Sequence, residues 1–526
     1  MEVQTVSQEH KGGTFRVKKS TRQRLRNGKR RIARRLKNAK CKNRMGPVFT
    51  TGKLTYEIAA RTSGIAVGGI GAIHRLAHKS GLVQEIDSRL KLLKIHNPYC
   101  ESDHVLNIAY NILAGGTCLE DLEILRNNEN YLDALGATSI PDPTTAGDFC
   151  RRFDAIDVEI LEDAVNECRL RLWSKQPKAF FEEAIIDADG TIAPTTGECK
   201  QGMDMSYKGV WGYHPLVLSL ANTDEVLSLR NRSGNRPSQE GAATQYEVAI
   251  DLMRRAGFKK VTLRGDSAFS QTTHLDRWNA GSVEFVFGYS ATANLVQMAD
   301  ALPQGTWKTL ERRKREIKTS PRTRPTNVKA EIVKAREYEN IRLLGEEYAE
   351  FPYQPSECAQ TYRMVVVKKN LSREKGEDVL FEEIRYFFYI SNKKDFSSKE
   401  VIFFANDRGN QERLIDQLKN GVHSMRMPLD NLVSNEAYMV MASLAWTLTA
   451  WFALILPETG RWKEKHRAEK HKVLHMSFKS FVNGFIRMPA QIVHSGRRII
   501  YRLLDWNPLR HVFFRAVDAI SQRMLC

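Results

Sequence analysis

The sequence predicts an α/β protein whose centre is a mixed sheet covered by helices. Three observations predict it. Between about residues 184 and 289, short apolar runs that fit buried strands alternate with helical stretches. Two of those runs end in a glycine beside an aspartate, in Asp187-Ala-Asp189-Gly190-Thr191 and in Arg264-Gly265-Asp266-Ser267. Helical periodicity dominates on both flanks, before residue 174 and again from residue 397.

With 526 residues the chain can hold several domains and bury a large core. Its formal net charge of +19 and pI near 9.5 point to a polyanionic partner. Most of that charge is local: residues 16–44 hold 15 Lys and Arg and no acid. The eight cysteines are scattered with no C-x-x-C, which speaks against a zinc ribbon or a disulfide framework and for a reducing, intracellular compartment. No apolar signal-like stretch is visible near residue 1.

Residues 1–50 are expected to form a basic, disordered arm that binds phosphates through residues such as Arg30 and Arg31; nuclear import or RNA binding fits the same composition. Residues 51–177 read as a helical DNA-binding domain. Val105, Ile108, Ile112 and Leu113 share one helix face, Gly115-Gly116 stops that helix, and Pro141-Asp142-Pro143-Thr144-Thr145 starts a later one. On that later helix Phe149 and Phe153 face the core, while Arg151 and Arg152 are either phosphate contacts or solvated charges.

Residues 178–290 carry the alternation itself. Strands are expected at 184–189, 215–220 and 225–230. A helix follows at 241–256, with Val248, Ala249, Leu252, Met253 and Ala256 on one face. Then come a strand at 260–264, a helix at 273–279 and a strand at 284–287. A meander followed by parallel strands added through right-handed crossovers is the order of a ribonuclease-H-like core. Residues 291–400 read as a β-rich insertion, with strands at 363–367 and 385–390 and a loop at 345–357. Residues 401–457 supply completing helices. They include a charge-free stretch, 437–457, long enough to span a bilayer but read as a buried core helix because it is solitary and contains Ser443, Thr447 and Thr449. Residues 458–526 form a basic amphipathic region in which cations alternate with Trp462, Phe478, Phe481 and Phe485, suited to DNA or a partner.

The chemistry lies in the carboxylates. Strand side chains alternate, so Asp187 and Asp189 project from one face. A carboxylate at the end of a buried strand is costly unless something positive meets it, although an Asx turn closing the strand fits the residues equally. Asp266 repeats the setting. Two aspartates at the carboxyl ends of parallel strands, where ligands sit, repel each other unless a cation lies between them. A third acid, Glu412, follows Arg408 by four residues and precedes Lys419 by seven, so the three occupy nearly one helical stripe. A surface ion-pair face is the alternative. Three carboxylates can hold two Mg²⁺ or Mn²⁺ ions, which stabilise the attacking and leaving oxygens of an in-line displacement at phosphorus. Arg408, Lys419 and Arg264 would then seat backbone phosphates. Asp187 could replace Asp189 as ligand. Glu436 rivals Glu412 but lacks the flanking cations, and His214 reads as a turn or packing residue.

Asp189-Gly190-Thr191 resembles the D-x-T of DDE transposases from bacterial insertion sequences, and Arg264-Gly265-Asp266-Ser267 resembles their second-aspartate motif. Arg408-x3-Glu412-x6-Lys419 resembles the tyrosine–arginine–glutamate–lysine signature of the insertion-sequence-four group, with Ala405 where the tyrosine is expected. Gly212-Tyr213-His214-Pro215-Leu216, Pro141–Thr145 and the helical stretch 120–126 are similar to the related "thirteen-eighty" family, DDE domain group 1. The resemblance implies a ribonuclease-H-like, retroviral-integrase-like catalytic core with Asp189, Asp266 and Glu412 as catalytic residues and ligands of two Mg²⁺ or Mn²⁺ ions. It further implies cut-and-paste transposition of double-stranded DNA, ends and target together, by a homodimer in the bacterial cytoplasm, at the nucleoid and without a membrane. A nuclease of the same fold that lacks strand transfer, or a non-catalytic DNA-binding relative, are the other readings.

Overall fold

Lys19–Cys41 is one continuous helix, so within the basic arm the expected disorder is corrected for this segment. Its Arg, Lys, Leu and Ala residues favour a helix and no proline interrupts them; Gly28 is the weak point. Arg30 and Arg31 are exposed on it. The computed structural model describes residues 19–41, 63–312, 331–332, 335–336, 339–375, 378–495, 498–504 and 507–523; the rest of the arm lies outside them. The chain divides into two units, one of residues 1–173, 419–424 and 437–526, the other of residues 174–418 and 425–436. It passes between them within the helix Leu432–Leu454.

The first unit is mainly helical. Its helix Glu101–Ala114 is buried almost all round and ends at Gly115, whose φ of 106° is the left-handed cap that the Gly-Gly pair provides. Asp142 caps Pro143–Cys150 by accepting from the Thr145 N–H at 2.9 Å. That helix stops at Cys150, so Arg151 and Arg152 lie in the turn beyond it, exposed, with Arg151 paired to Asp148 at 2.9 Å. Phe149 and Phe153 are buried, edge to face at 5.4 Å. The charge-free stretch falls in Leu432–Leu454 and its most apolar window is wholly buried. Phe452 of this helix meets Phe481 at 5.4 Å and Phe485 at 5.2 Å. The phenylalanines at 478, 481 and 485 therefore build core rather than an aromatic, basic surface, because a large apolar helix needs them as partners. Several cations nearby are paired: Arg467 with Glu464 at 3.1 Å, Arg515 with Glu469 at 2.8 Å.

The second unit holds the predicted alternation. The elements used below are β1 (Glu183–Gly190), β2 (Leu216–Leu220), β3 (Glu225–Arg230), α1 (Ala242–Ala256), β4 (Lys260–Gly265), α2 (Thr272–Ala280), β5 (Glu284–Tyr289), β6 (Lys308–Thr309), β7 (Glu339–Tyr353), β8 (Tyr362–Lys375), β9 (Asp378–Ser391), α3 (Ser398–Asn406) and α4 (Gly409–Asp416). One mixed sheet takes nine strands in the order β6-β7-β8-β9-β5-β4-β1-β2-β3. The meander is β1-β2-β3, antiparallel, and β4 and β5 add in parallel on the other side of β1. The inserted strands continue the same sheet, with β9 antiparallel to β5. The loop expected at 345–357 is strand as far as Tyr353, carried past a bulge between Leu343 and Gly345 by pairing with the strong run on β8, Tyr348 opposite Val367 among others. On α1 the buried stripe is Tyr246, Ala249, Ile250 and Met253, which turns Val248 out to solvent.

In the helical unit His104 stacks on Phe149 with ring centroids 4.3 Å apart. Burial pushes its pKa down to about 4; Glu101 opposes the shift and Arg152 adds to it. The unfolded chain takes up this proton near pH 6.5 and the folded chain does not, so stability falls as pH drops from about 6.5 to about 4, by up to ~3 kcal/mol from this residue. Urea midpoints measured across that window should show the loss, and His104→Phe should shrink it, leaving the part due to His74, which burial also pushes down to about 4.

Candidate functional site

The carboxyl ends of β1 and β4 place the first two acids. Asp187 and Arg264 are register partners at the end of the parallel pair, and Asp189 and Asp266 each follow two residues later. Asp189 is within β1, half-buried. Asp266 follows β4 and caps the short turn Ser267–Phe269, one oxygen accepting from the Ala268 N–H at 2.9 Å. Gly288 on β5 makes room for that turn: a Cβ there would lie 2.8 Å from the Ser267 nitrogen and 3.1 Å from the Asp266 carbonyl carbon.

Glu412 stands exposed in the first turn of α4, where a helix favours an anion. Its neighbours fix that helix to the sheet. Gln411 is buried, accepts from Ser219 Oγ and donates to the Val217 carbonyl at 3.2 Å, and Arg413 pairs with Asp224. Arg408 sits at the start of α4 and reaches Asp189 Oδ2 with Nη2 at 3.4 Å. Lys419 follows in the π-helical turn Gln417–Gly421, so the 3.6-residue stripe expected from Arg408 through Glu412 does not extend to it.

One assignment made from the sequence loses its support: Arg264 is buried rather than open to DNA. It is 2% exposed and forms a bidentate pair with Asp187, Nε to Oδ1 at 2.6 Å and Nη2 to Oδ2 at 2.7 Å. Its Nη1 also donates to the Phe404 carbonyl of α3 at 2.9 Å. Asp187 is thereby occupied, which leaves Asp189 as the strand-end acid facing the cluster. The signal was present: Asp187 and Arg264 each precede a strand-end aspartate by two residues, so they share its face and meet each other. Glu436 accepts from the Asn231 N–H at 3.0 Å and lies 3.8 Å from Arg230, a cap for the end of β3. His214 is buried, with Nδ1 on the Arg236 carbonyl at 2.7 Å.

The electrostatics tie the acids together. Burial pushes the Asp189 carboxyl up to about 6; Arg408 and the Gly190 N–H pull it down, while Asp266 and Glu412 push it up further. The three carboxylates thus share one electrostatic neighbourhood, and their hard oxygen donors suit Mg²⁺ or Mn²⁺. Among the described residues, however, no three His, Cys, Asp or Glu side chains stand close enough to hold one ion together. The donor chemistry fits a divalent cation; the ligand set is not assembled in this arrangement, where Arg408 faces Asp189.

The buried pair gives a direct test. Arg264→Met leaves Asp187 charged without a partner and should cost about 3–5 kcal/mol in urea unfolding, and Asp187→Leu added to it should recover most of the loss. An Arg264→Met protein of unchanged stability and weakened DNA binding would restore the surface role instead.

No curated protein matches the chain. Among solved structures, the cryo-EM structure of the piggyBac transposase synaptic complex with hairpin DNA is similar over 79% of this chain and 81% of that one, at 9% identity and a TM-score of 0.32, too loose a likeness to argue from. Residues 57–525 match the family described as transposase DDE domain group 1, nearly the whole length. The chain belongs to that family of DDE transposases.

Proposed function

We propose that this protein catalyses cut-and-paste transposition of an insertion sequence, by hydrolysis and strand transfer at terminal inverted repeats, on a ribonuclease-H-like core. What supports the reading is geometric: Asp189 lies near the end of β1, Asp266 just after the adjacent parallel strand β4, and Arg408, at the start of the helix that carries Glu412, reaches Asp189 at 3.4 Å. Membership of the DDE transposase family supports it.

In this reading Asp189, Asp266 and Glu412 would hold two Mg²⁺ or Mn²⁺ ions, which would supply Lewis acidity toward a nucleophilic water or 3′-hydroxyl and toward the leaving 3′ oxygen. The chain's own residues do the rest. Gln411 and Arg413 keep α4, and with it Glu412, against the sheet. Arg408 seats a backbone phosphate beside the scissile bond. Arg30 and Arg31, exposed on the helix Lys19–Cys41, and Arg151 and Arg152 supply sequence-independent affinity for duplex DNA, both ends and target, held by a homodimer. Such a protein works at the bacterial nucleoid.

The substrate to use is the DNA flanking the gene, which on this reading carries a pair of inverted repeats. With Mg²⁺ the wild type should nick labelled ends and join a pre-cleaved 3′ end to target DNA. Asp189→Asn, Asp266→Asn and Glu412→Gln should each lower both reactions on the order of 10³-fold while leaving duplex binding nearly intact. Nicking without joining would reduce the protein to a nuclease; full activity in Asp266→Asn would remove the proposed centre.

A further inference from the structure

Strand β1 offers two aspartates on one face, and each meets an arginine, but the two pairs are built differently. Asp187 and Arg264 are 1% and 2% exposed and joined by two short hydrogen bonds, at 2.6 and 2.7 Å. Asp189 and Arg408 are 19% and 18% exposed and joined by a single contact at 3.4 Å. A bidentate pair locked among buried groups stays closed, whereas a monodentate contact at the edge of water exchanges readily. The Arg408 guanidinium is also under-used: its Nε is buried and donates to no described residue.

The opposite end of the same strands shows what a completed acidic cluster looks like. There Glu183 of β1 and Glu284 of β5 converge on Lys393, whose side chain is buried and pairs with both, at 2.8 Å to Glu183. Thr262 of β4 donates to Glu183 at 2.6 Å. At the Asp189 end, Asp189 meets Arg408 through that one longer contact only.

We infer that Arg408 is a displaceable counter-ion for this cluster: it covers Asp189 in the DNA-free protein, and backbone phosphates draw it off, opening Asp189 to divalent cations. The inference rests on the function proposed above. Phosphate and Asp189 compete for one guanidinium, so DNA binding and divalent-cation binding strengthen each other by the same factor. The free protein holds metal weakly and is assembled as a nuclease only on DNA.

The test is Mn²⁺ binding, by titration calorimetry and by the electron paramagnetic resonance signal of free Mn²⁺, to the full chain with and without mixed-sequence duplex DNA. Phosphate contacts need no particular sequence. Asp189→Asn identifies the relevant binding, and urea midpoints confirm that each variant is folded. For the DNA-free protein, Arg408→Gln should bind Mn²⁺ about 5–100-fold tighter than wild type, and Arg408→Lys should fall between them. Added DNA should tighten Mn²⁺ binding to wild type by a similar factor and to Arg408→Gln hardly at all. Equal or weaker Mn²⁺ binding in DNA-free Arg408→Gln, or an equal gain on adding DNA, overturns the inference and leaves the proposed function standing. Absence of any Asp189-dependent Mn²⁺ binding, with or without DNA, overturns both.

Discussion

The buried pair of Asp187 and Arg264 is the constraint on which the site depends. Two charges withdrawn from water carry a large desolvation cost, recovered only when their geometry is good and their remaining donors are satisfied. Here the guanidinium spans three elements: it sits on β4, grips β1 through Asp187, and reaches the Phe404 carbonyl of α3 at 2.9 Å. Phe404 also lays its ring 4.8 Å from the guanidinium, which adds a cation–π contact. A one-residue slip of β4 against β1 would strand both charges. The register of the two strands that lead to Asp189 and Asp266 is therefore enforced by the residues two positions before them.

Much of this was legible in the sequence, for identifiable reasons. Short apolar runs ending in Gly-Asp or Asp-Gly mark strands that stop where a ligand can sit, and both the meander and the parallel strands appear where that pattern set them. The long charge-free stretch reads as core because polar residues interrupt it and nothing comparable accompanies it, and it is buried. Cap chemistry located Gly115 and Asp142 as helix ends.

What escaped was decided by partners that one-dimensional patterns do not name. Arg264 looks like any basic residue beside a motif, and only the register shows that it faces Asp187. Residues 345–353 look like loop, with glutamates, a glycine and Pro352, yet β8 offers an apolar neighbour strand that recruits them. Phe481 and Phe485 looked like part of a binding face because their cationic neighbours are conspicuous, while the helix that packs on them lies earlier in the chain; Trp462 does stay exposed. The stripe of Arg408, Glu412 and Lys419 assumed an unbroken helix, and a π turn breaks it.

These facts also locate the adaptable part of the site. Glu412 lies between two anchors: Gln411 is bonded to Ser219 and Val217 on β2, and Arg413 to Asp224 in the turn that follows. Holding the residues on both sides fixes the helix face that Glu412 presents. Asp266 is pinned by its own cap and by the close passage of Gly288, and Asp189 belongs to the central strand. Burial is the main reason the Asp189 carboxyl sits high, with Asp266 and Glu412 adding repulsion that a divalent cation would relieve. Arg408 alone among the groups facing Asp189 combines a long flexible side chain with a contact loose enough to break.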